Sequence, residues 1–327
     1  MSKFVPKRLA HAVEQVLRQG CRTSFTLFRI IVPVMVLTKI LQELRGVDLL
    51  GRALGPVMHA VGLPGSMGLV WASAMLTNLY GGMAVFAQLA PAEHLTAAQA
   101  TVLTTMMLVA HALPVELRIA QKAGTRFRFM VVLRLGGALA LGFLLHQFYT
   151  RTGMLQHANV AIWTAPAAPP TLWAWAIQQL RTLVMMFLII LTLLSLLAVL
   201  KAAGITELLT RMLAPLLRLL GMSRTAAPLT IIGMTLGLAY GGGLIIEEAR
   251  AGHLAPRDVF FSLSLLGLCH SLIEDTLLMI SLGGHVSGVL LGRAAFSIVV
   301  VFLLVRLLSR LGEDTFNRLL FRPAKPR

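Results

Sequence analysis

The chain has 327 residues, of which 57% are hydrophobic and only 13% are charged. Soluble domains carry about 25% charged residues, so this composition excludes an ordinary soluble protein and indicates a membrane protein. The net charge of +16 does not indicate nucleic-acid binding, because Lys and Arg lie at the ends of apolar segments and form no basic stripe on a polar module.

The first 23 residues form a basic segment, and no cleavable signal is expected because the apolar run that follows exceeds signal-peptide length without a small-residue cleavage site. Residues 5–19 place apolar side chains on one helical face among basic residues. This pattern predicts an interfacial helix on the cytoplasmic side, with a frayed basic tail as the alternative. The two cysteines, Cys21 and Cys269, cannot form a disulfide framework.

Two halves of the chain align when the sequence is shifted by 159 residues. Residues 48–62 then match residues 207–221, Glu116 meets Asp275, and identical pairs include His94/His253, His111/His270, Gly124/Gly283 and Arg134/Arg293. Matched leucines are common in an apolar chain, but matched His, Gly and Arg at one offset are not. The pattern therefore predicts an internal duplication.

Each half contains the same predicted elements in the same order. They are a long apolar helix (24–45; 173–200), a short amphipathic helix (48–61; 206–220), an apolar segment broken by glycines (66–90; 225–250), a helix carrying His and an acid (97–122; 257–282) and a closing apolar helix (128–149; 288–311). Segments of about 20 residues suit a hydrocarbon core about 30 Å thick.

The distribution of Lys and Arg predicts the orientation of the chain in the membrane. Both ends are basic and are expected in the cytoplasm, whereas residues 152–175 contain neither Lys nor Arg and suit an external linker. Each half must then cross an odd number of times. Residues 118–128 are rich in Arg and Lys, whereas their repeat partner, residues 279–288, has none. Matched loops that differ in this way in their Lys and Arg content are typical of inverted-topology repeats, whose equivalent loops lie on opposite sides of the membrane.

An odd number of crossings requires one apolar segment of each half not to cross. The glycine runs Gly81–Gly82 and Gly241–Gly243 lie midway along their segments, and glycine allows the chain to turn back there. We interpret both segments as re-entrant hairpins; straight helices with small residues for close packing are the alternative.

The predicted fold is therefore an all-α polytopic membrane protein with two inverted repeats, each with about three transmembrane helices, an interfacial helix and a re-entrant hairpin. The segments are a basic cytoplasmic N-terminal segment (1–23), a first repeat (24–150), an external linker (151–172), a second repeat (173–312) and a basic cytoplasmic tail (313–327). A bacterial-type cytoplasmic (inner) membrane is the expected location.

Acids in the second His-bearing helix lie deep in the predicted hydrocarbon. A charged side chain there costs roughly 2.5–3.5 kcal/mol on insertion scales, so Glu274 and Asp275 are expected to face a protein interior or a wet cavity and to be functional. His270 and Glu274 are four residues apart and should share a helical face. Asp275 should point to a different neighbour.

The first half carries His111 and Glu116 at the corresponding positions, with Pro114 between them to kink the helix. Glu116 has an alternative role as an interfacial acid paired with Arg118 or Lys122.

Several other polar residues have a structural and a functional interpretation. His111 and His270 have the alternative of a plain interhelical hydrogen bond. Arg134 and Arg293 are expected to snorkel to the membrane surface. Thr77 and Asn78 are candidate solute contacts at a hairpin tip, or else caps of a half-helix.

At its two Tyr-Gly-Gly segments and its two His/acid helices, the chain resembles the Gate family of nucleoside-recognition domain proteins, which includes spore maturation proteins A and B. Related segments occur in the membrane core of the ferrous-iron transporter and in concentrative nucleoside transporters. The resemblance covers roughly residues 25–150 and 175–312. It implies transport or gating, with Tyr80–Gly82 and Tyr240–Gly243 as gate elements.

The sequence thus predicts a secondary transporter, not an enzyme, for a nucleoside-like or other small organic solute, with H⁺ or another coupling ion as an option. The alternatives are a non-transporting assembly or signalling component of spore-maturation type and a divalent-metal permease. No cofactor, resident metal or nucleic acid is expected; the lipid bilayer is a partner, and a homo-oligomer is left open. The candidate binding residues are Thr77, Asn78, Tyr80, Gly81, Gly82, His111, Glu116, Tyr240, Gly241, Gly242, His270, Glu274 and Asp275.

Overall fold

The computed structural model describes residues 4–161, 171–204, 208, 211–213, 215, 217, 220, 222–223, 225–251, 253–308 and 310–322. In the first half its helices are α1 (Phe4–Glu43), α2 (Gly46–Ala60), α3 (Met67–Leu76), α4 (Leu79–Glu93), α5 (Ala97–Val109), α6 (Leu113–Lys122) and α7 (Phe127–Thr152). In the second half they are α8 (Leu172–Ala202), α9 (Ala226–Leu236), α10 (Leu238–Arg250), α11 (Pro256–Leu268), α12 (Glu274–Ser281), a π-helix (Ser287–Gly292), α13 (Arg293–Leu308) and α14 (Glu313–Leu319). The prediction of an all-α protein is confirmed for these residues.

Five helical segments among the described residues are long and apolar enough to cross a membrane: Leu17–Glu43, Ala97–Lys122, Phe127–Thr152, Leu172–Leu196 and Ser287–Leu308. They correspond to five of the six predicted crossings, and the protein is a multi-pass membrane protein. The sixth predicted crossing, 257–282, consists of the two shorter helices α11 and α12.

The N-terminal region differs from the prediction of a separate interfacial segment. Helix α1 runs without interruption over 40 residues from Phe4 to Glu43, so the basic segment and the first apolar helix are one element. The predicted amphipathic helix 206–220 lies largely outside the described residues, whereas its partner 48–61 is observed as α2, Gly46–Ala60.

The helix pair α3–α4 folds back on itself a few residues before its glycines. A Cβ added at Gly82 would lie 3.3 Å from the Val70 carbonyl oxygen, although twelve residues of straight helix span about 18 Å. The break falls at Thr77 and Asn78, where the Asn78 Oδ1 accepts a hydrogen bond from the Gly81 amide at 3.0 Å. The expectation that Gly81–Gly82 form the turn was wrong; these glycines let α4 pack closely against α3.

The second half contains the corresponding helix pair, in which α9 and α10 pack together. Here the break is Gly237, with φ of 94° and ψ of 163°, a backbone conformation essentially restricted to glycine. Gly241–Gly243 again lie inside the second helix of the pair and not at its turn.

Loops of the two halves gather at opposite ends of α7, a helix of 26 residues and therefore about 39 Å long. At its beginning, the Arg126 amide donates to the Leu320 carbonyl at 2.9 Å, and the Arg322 amide donates to the Gly124 carbonyl at 2.7 Å. At its other end, the Asn159 side-chain amide donates to the Leu282 carbonyl at 3.0 Å. Segment 124–126 thus lies beside the C-terminal region, and segment 282–285 lies beside the linker between the halves.

Candidate functional site

Two broken helices carry the buried histidines His111 and His270. The first breaks between α5 and α6 and the second between α11 and α12, and each break contains a non-glycine residue with positive φ: Ala112 at 47° and Ser271 at 46°. These two residues are 159 positions apart, the offset of the sequence repeat. Such backbone conformations cost about 1–3 kcal/mol and persist where surrounding contacts enforce them.

Backbone hydrogen bonds fix both breaks to the helix pairs. The Ala112 amide donates to the Ala74 carbonyl at 2.9 Å, and the Leu272 amide donates to the Met234 carbonyl at 2.8 Å. Each break is therefore tied to the end of the first helix of its pair, which fixes the direction of the histidine that lies next to it.

His111 and His270 meet between the two breaks. Their Nε2 atoms are 3.3 Å apart, and the residues are only 5% and 2% exposed. Each ring is anchored at its other nitrogen, because His111 Nδ1 lies 2.9 Å from the Met107 carbonyl and His270 Nδ1 lies 2.7 Å from the Leu266 carbonyl. A carbonyl oxygen only accepts hydrogen bonds, so both Nδ1 atoms carry a proton and donate it.

Two carboxylates complete what we call the His–acid cluster: His111, Glu116, His270 and Asp275. Glu116 Oε1 lies 3.4 Å from His111 Nε2 and 3.3 Å from His270 Nε2. Asp275 Oδ2 lies 4.0 Å from both Nε2 atoms. Both acids lie in the first turn of a half-helix, α6 and α12, where the helix dipole favours negative charge.

Two fully buried arginines flank the cluster, one in each half. Arg134 forms an ion pair with Glu116 Oε2 and donates from Nε to the Val109 carbonyl at 3.0 Å. Arg293 donates from Nη2 to Thr276 Oγ1 at 3.5 Å, and its Nε and Nη1 have no hydrogen-bond partner among the described residues. Both arginines are 0% exposed.

Two sequence interpretations of these charges were wrong. Arg134 and Arg293 do not snorkel, because the interior provides a carboxylate and one backbone carbonyl for Arg134 and a hydroxyl for Arg293. Glu116 does not pair with Arg118 or Lys122; Arg118 instead donates to Gln121 at 2.6 Å. One feature of the sequence could have indicated that the arginines belong to the site: Arg134 and Arg293 are separated by the same 159 residues as His111 and His270.

The expected partnership of His270 and Glu274 is also wrong. That expectation assumed one continuous helix, but α11 ends at Leu268 and α12 begins at Glu274. The break redirects the chain, so that Asp275 and not Glu274 approaches His270. Glu274 is partly buried and lies outside the cluster.

The remaining predicted residues lie in the helix pairs and not in the cluster. Thr77 donates to the Ser73 carbonyl at 2.6 Å, and Asn78 caps α4, so the capping interpretation describes their contacts. Tyr80 is half-buried and within electrostatic range of Glu274 and Asp275. Tyr240, Gly241 and Gly242 lie within α10, and the side chain of Tyr240 is outside the described part of the structure.

The cluster has the chemistry of a cation site. His111, His270 and Asp275 offer three ligand atoms that all lie within 4.8 Å of one another. Glu116 adds a fourth possible ligand atom, the carboxylate oxygen Oε1, at 3.3–3.4 Å from the Nε2 atoms of the histidines. In the neutral form of both rings, with Nδ1 protonated, both Nε2 atoms have a lone pair available to a shared cation. A proton or a metal ion between them would remove their mutual repulsion.

Comparison with known proteins finds two similarities. Residues 24–126 match the family model of the Gate domain, which is described as nucleoside recognition. The chain is also 28% identical over 289 residues to the membrane protein YvoD of Bacillus subtilis (strain 168), a match that covers 87% of this chain and 91% of that protein. No solved structure matches. The resemblance to the Gate family is confirmed, and the match lies in the first half of the chain, over residues 24–126.

Proposed function

We propose that this Gate-domain membrane protein is a secondary permease in which a small solute passes the His–acid cluster between two inverted repeats. The observation that carries the proposal is the contact between His111 Nε2 and His270 Nε2 at 3.3 Å. These residues are 159 positions apart and equivalent in the repeat. Equivalent atoms of two repeats related by a two-fold axis meet only on that axis, where transporters built from inverted repeats bind their solutes.

The arrangement of loops supports the inversion. Segments 124–126 and 283–285 are equivalent in the repeat, yet the first lies beside the C-terminal region and the second beside the inter-repeat linker, at opposite ends of α7. The end that holds segment 124–126 also holds Arg257, which donates to the Leu308 carbonyl at 2.7 Å. Basic loops of both halves thus share one end, as the positive-inside rule requires of the cytoplasmic side.

The depth of the cluster supports the same proposal. Helix α5 has 13 residues and α6 has 10, which correspond to about 20 Å and 15 Å of helix on the two sides of the break. Helices α11 and α12 have 13 and 8 residues. Both histidines therefore lie near the middle of a core about 30 Å thick, at the ends of half-helices.

A cavity of about 370 Å³ supports passage of a small organic solute. It lies apart from the His–acid cluster, between the ends of α1 and α4 and the beginnings of α2 and α8, and its lining includes Lys39, Gln42, Asp48, Gln88, Glu93 and Trp175. Ligand sites for small molecules begin at about 300 Å³, so the cavity could admit a solute before it reaches the cluster. Helix α4 forms one wall, so a solute here would touch the first helix pair. The family description, nucleoside recognition, makes a nucleoside-like solute the first class to test, and no catalytic step is required.

Flux into proteoliposomes tests the proposal. Liposomes that contain the purified protein are loaded with one unlabelled solute at a time, chosen from nucleosides, nucleobases, amino acids and divalent metals. Uptake of the same solute in labelled form, by exchange, is then measured. We expect exchange of at least one class by the wild-type protein and its loss in the double variant His111→Gln/His270→Gln. Glu274→Gln, outside the cluster, is the matched control. Failure of every class, with the protein folded, would leave the assembly or signalling role as the better explanation.

Cysteine accessibility tests the inversion separately. In a Cys21→Ser background, Lys122→Cys and His285→Cys introduce exposed thiols into equivalent loops of the two repeats. A membrane-impermeant maleimide should label Lys122→Cys only from the cytoplasmic side and His285→Cys only from the outer side. Labelling of both from one side would disprove the inverted arrangement.

A further inference from the structure

We propose that the His–acid cluster binds one divalent transition-metal ion through Nε2 of His111, Nε2 of His270 and Oε1 of Glu116, with Asp275 as the fourth ligand. This inference rests on the proposed function in one respect, which is that both assign their site to the His–acid cluster. Metal binding and solute flux are measured separately, so either claim can fail without the other.

The hydrogen bonds of the two rings prepare both histidines for a metal. Their Nδ1 atoms donate to the Met107 and Leu266 carbonyls at 2.9 and 2.7 Å. Histidines that bind metals almost always donate their second ring N–H to a carbonyl, a carboxylate or water, which fixes the tautomer and the ring orientation. When both rings are neutral, their Nε2 lone pairs face each other across 3.3 Å, and a cation between them would relieve this unfavourable contact.

The three closest donor atoms form a nearly equilateral triangle. Its edges are 3.3 Å between the two Nε2 atoms, 3.4 Å from His111 Nε2 to Glu116 Oε1 and 3.3 Å from His270 Nε2 to the same oxygen. A regular tetrahedron with such edges has a centre about 2.0–2.1 Å from each vertex, which is the Zn–N and Zn–O bond length. The triangle is thus one face of a tetrahedral metal site.

The same distances are too long for a network of charged hydrogen bonds. An imidazolium N–H donating to a carboxylate typically lies about 2.7–2.9 Å from it, whereas no edge of this triangle is below 3.3 Å. Three nearly equal edges instead fit one centre shared by the three atoms. A single proton would shorten one edge at the expense of the others.

The fourth ligand and the surrounding groups fit this assignment. Asp275 Oδ2 is equidistant from the two Nε2 atoms, at 4.0 Å, and would complete the tetrahedron by moving closer to both. Arg134 contacts Glu116 Oε2 and leaves Oε1 free for the metal. Two imidazoles and two carboxylates suit Zn²⁺, Co²⁺, Fe²⁺ or Mn²⁺ and are poor ligands for Cu⁺. Cys269 lies next to His270 in sequence but is not part of the group.

Titration with Co²⁺ tests the metal site because tetrahedral Co²⁺ has an intense visible absorption band. The full chain in detergent, with Cys21→Ser to remove the exposed thiol, should bind one Co²⁺ with this band and release it to Zn²⁺. Removal of outer-shell partners costs about 10–100-fold in metal affinity, so loss of a direct ligand in His111→Gln or His270→Gln should cost more than about 100-fold. Glu274→Gln should bind Co²⁺ like the wild type.

X-ray absorption of the Zn²⁺ form provides a test that needs no variant, in case the histidine substitutions do not fold. Imidazole ligands at about 2.0–2.1 Å are expected. A folded wild type that binds neither ion, a spectrum without imidazole scattering, or unchanged binding in folded histidine variants would each overturn the metal site. Metal bound by the cluster without flux of any solute would support the site and contradict the permease.

Discussion

In the first half of the protein the buried Arg134 forms an ion pair with Glu116, whereas in the second half no described carboxylate lies within 4.0 Å of the equally buried Arg293. The two arginines occupy equivalent positions of the repeat, and so do Glu116 and Asp275. The two acids differ by one methylene group, because aspartate is shorter than glutamate. We infer that side-chain length decides whether the acid of each half also reaches its arginine, as Glu116 does while it contacts both histidines.

The largest expected effect comes from removing the arginines one at a time. Arg134→Met leaves the Glu116 carboxylate buried without its partner, which costs about 3–5 kcal/mol of unfolding free energy in comparable buried pairs. Arg293→Met breaks no ion pair among the described residues and should cost clearly less. Denaturant unfolding in detergent measures both, and adding Glu116→Gln to Arg134→Met should recover part of the loss. Equal costs for the two arginines would contradict the comparison.

Exchanging the acid lengths sharpens the same comparison. Glu116→Asp withdraws the carboxylate from Arg134 and should cost about 1.5–3 kcal/mol, the typical contribution of a hydrogen bond to a charged group. Asp275→Glu should instead reach Arg293, leave stability unchanged or higher, and weaken Co²⁺ binding because the carboxylate is drawn from the cluster. Unfolding and Co²⁺ titration of both variants test this. Similar behaviour of the two variants would show that side-chain length is not the cause.

The helix pairs differ in how their breaks are built, which predicts smaller effects. Gly237→Ala forces a side chain into a conformation restricted to glycine and should cost about 1–3 kcal/mol. Asn78→Ala removes the cap of α4 and should cost about 1 kcal/mol, whereas Asn78→Gly should cost only a few tenths. Thermal unfolding of the three variants should give this order. If Asn78→Gly were as costly as Asn78→Ala, loss of the cap would not be the main effect.

The smallest expected effect is that of Glu274→Gln on metal binding. Glu274 is beside Asp275 in sequence but outside the cluster, so its neutralisation should leave the Co²⁺ affinity within error of the wild-type value. Asp275→Asn removes the fourth ligand and should weaken Co²⁺ binding more than about 10-fold. A larger loss in Glu274→Gln than in Asp275→Asn would mean that the wrong acid has been assigned to the cluster.

Much of the architecture was predictable because it depends on periodic features of the sequence. The 159-residue offset identifies His111 and His270 as equivalent residues of the two repeats. If the repeats are related by a two-fold axis that passes between these residues, their contact is expected. The break near His111 could also be predicted, because Pro114 disfavours a continuous helix there. The break after Leu268 was not, because residues 269–273 contain neither Pro nor Gly, and without it Glu274 appeared to be the partner of His270.

The buried arginines could not be predicted from their position alone. A guanidinium near the end of an apolar helix ordinarily reaches the membrane surface, and only tertiary contacts reveal that Arg134 instead meets an acid from a neighbouring helix. The turn at Asn78 is different, because its cap is local and the sequence already offered Thr77 and Asn78 as caps of a half-helix. There the glycines misled, since they serve the close packing of α4 on α3 and do not form the turn.

The meeting of His111 and His270 has a consequence for how a carrier of this design would set its direction. An ion between two copies of one half-helix finds nearly the same ligands whether it arrives from inside or outside the cell. Such a carrier has little intrinsic preference for import over export, so concentration gradients and membrane voltage would decide the net movement. The unequal lengths of Glu116 and Asp275 are the feature of the cluster that could bias one approach over the other.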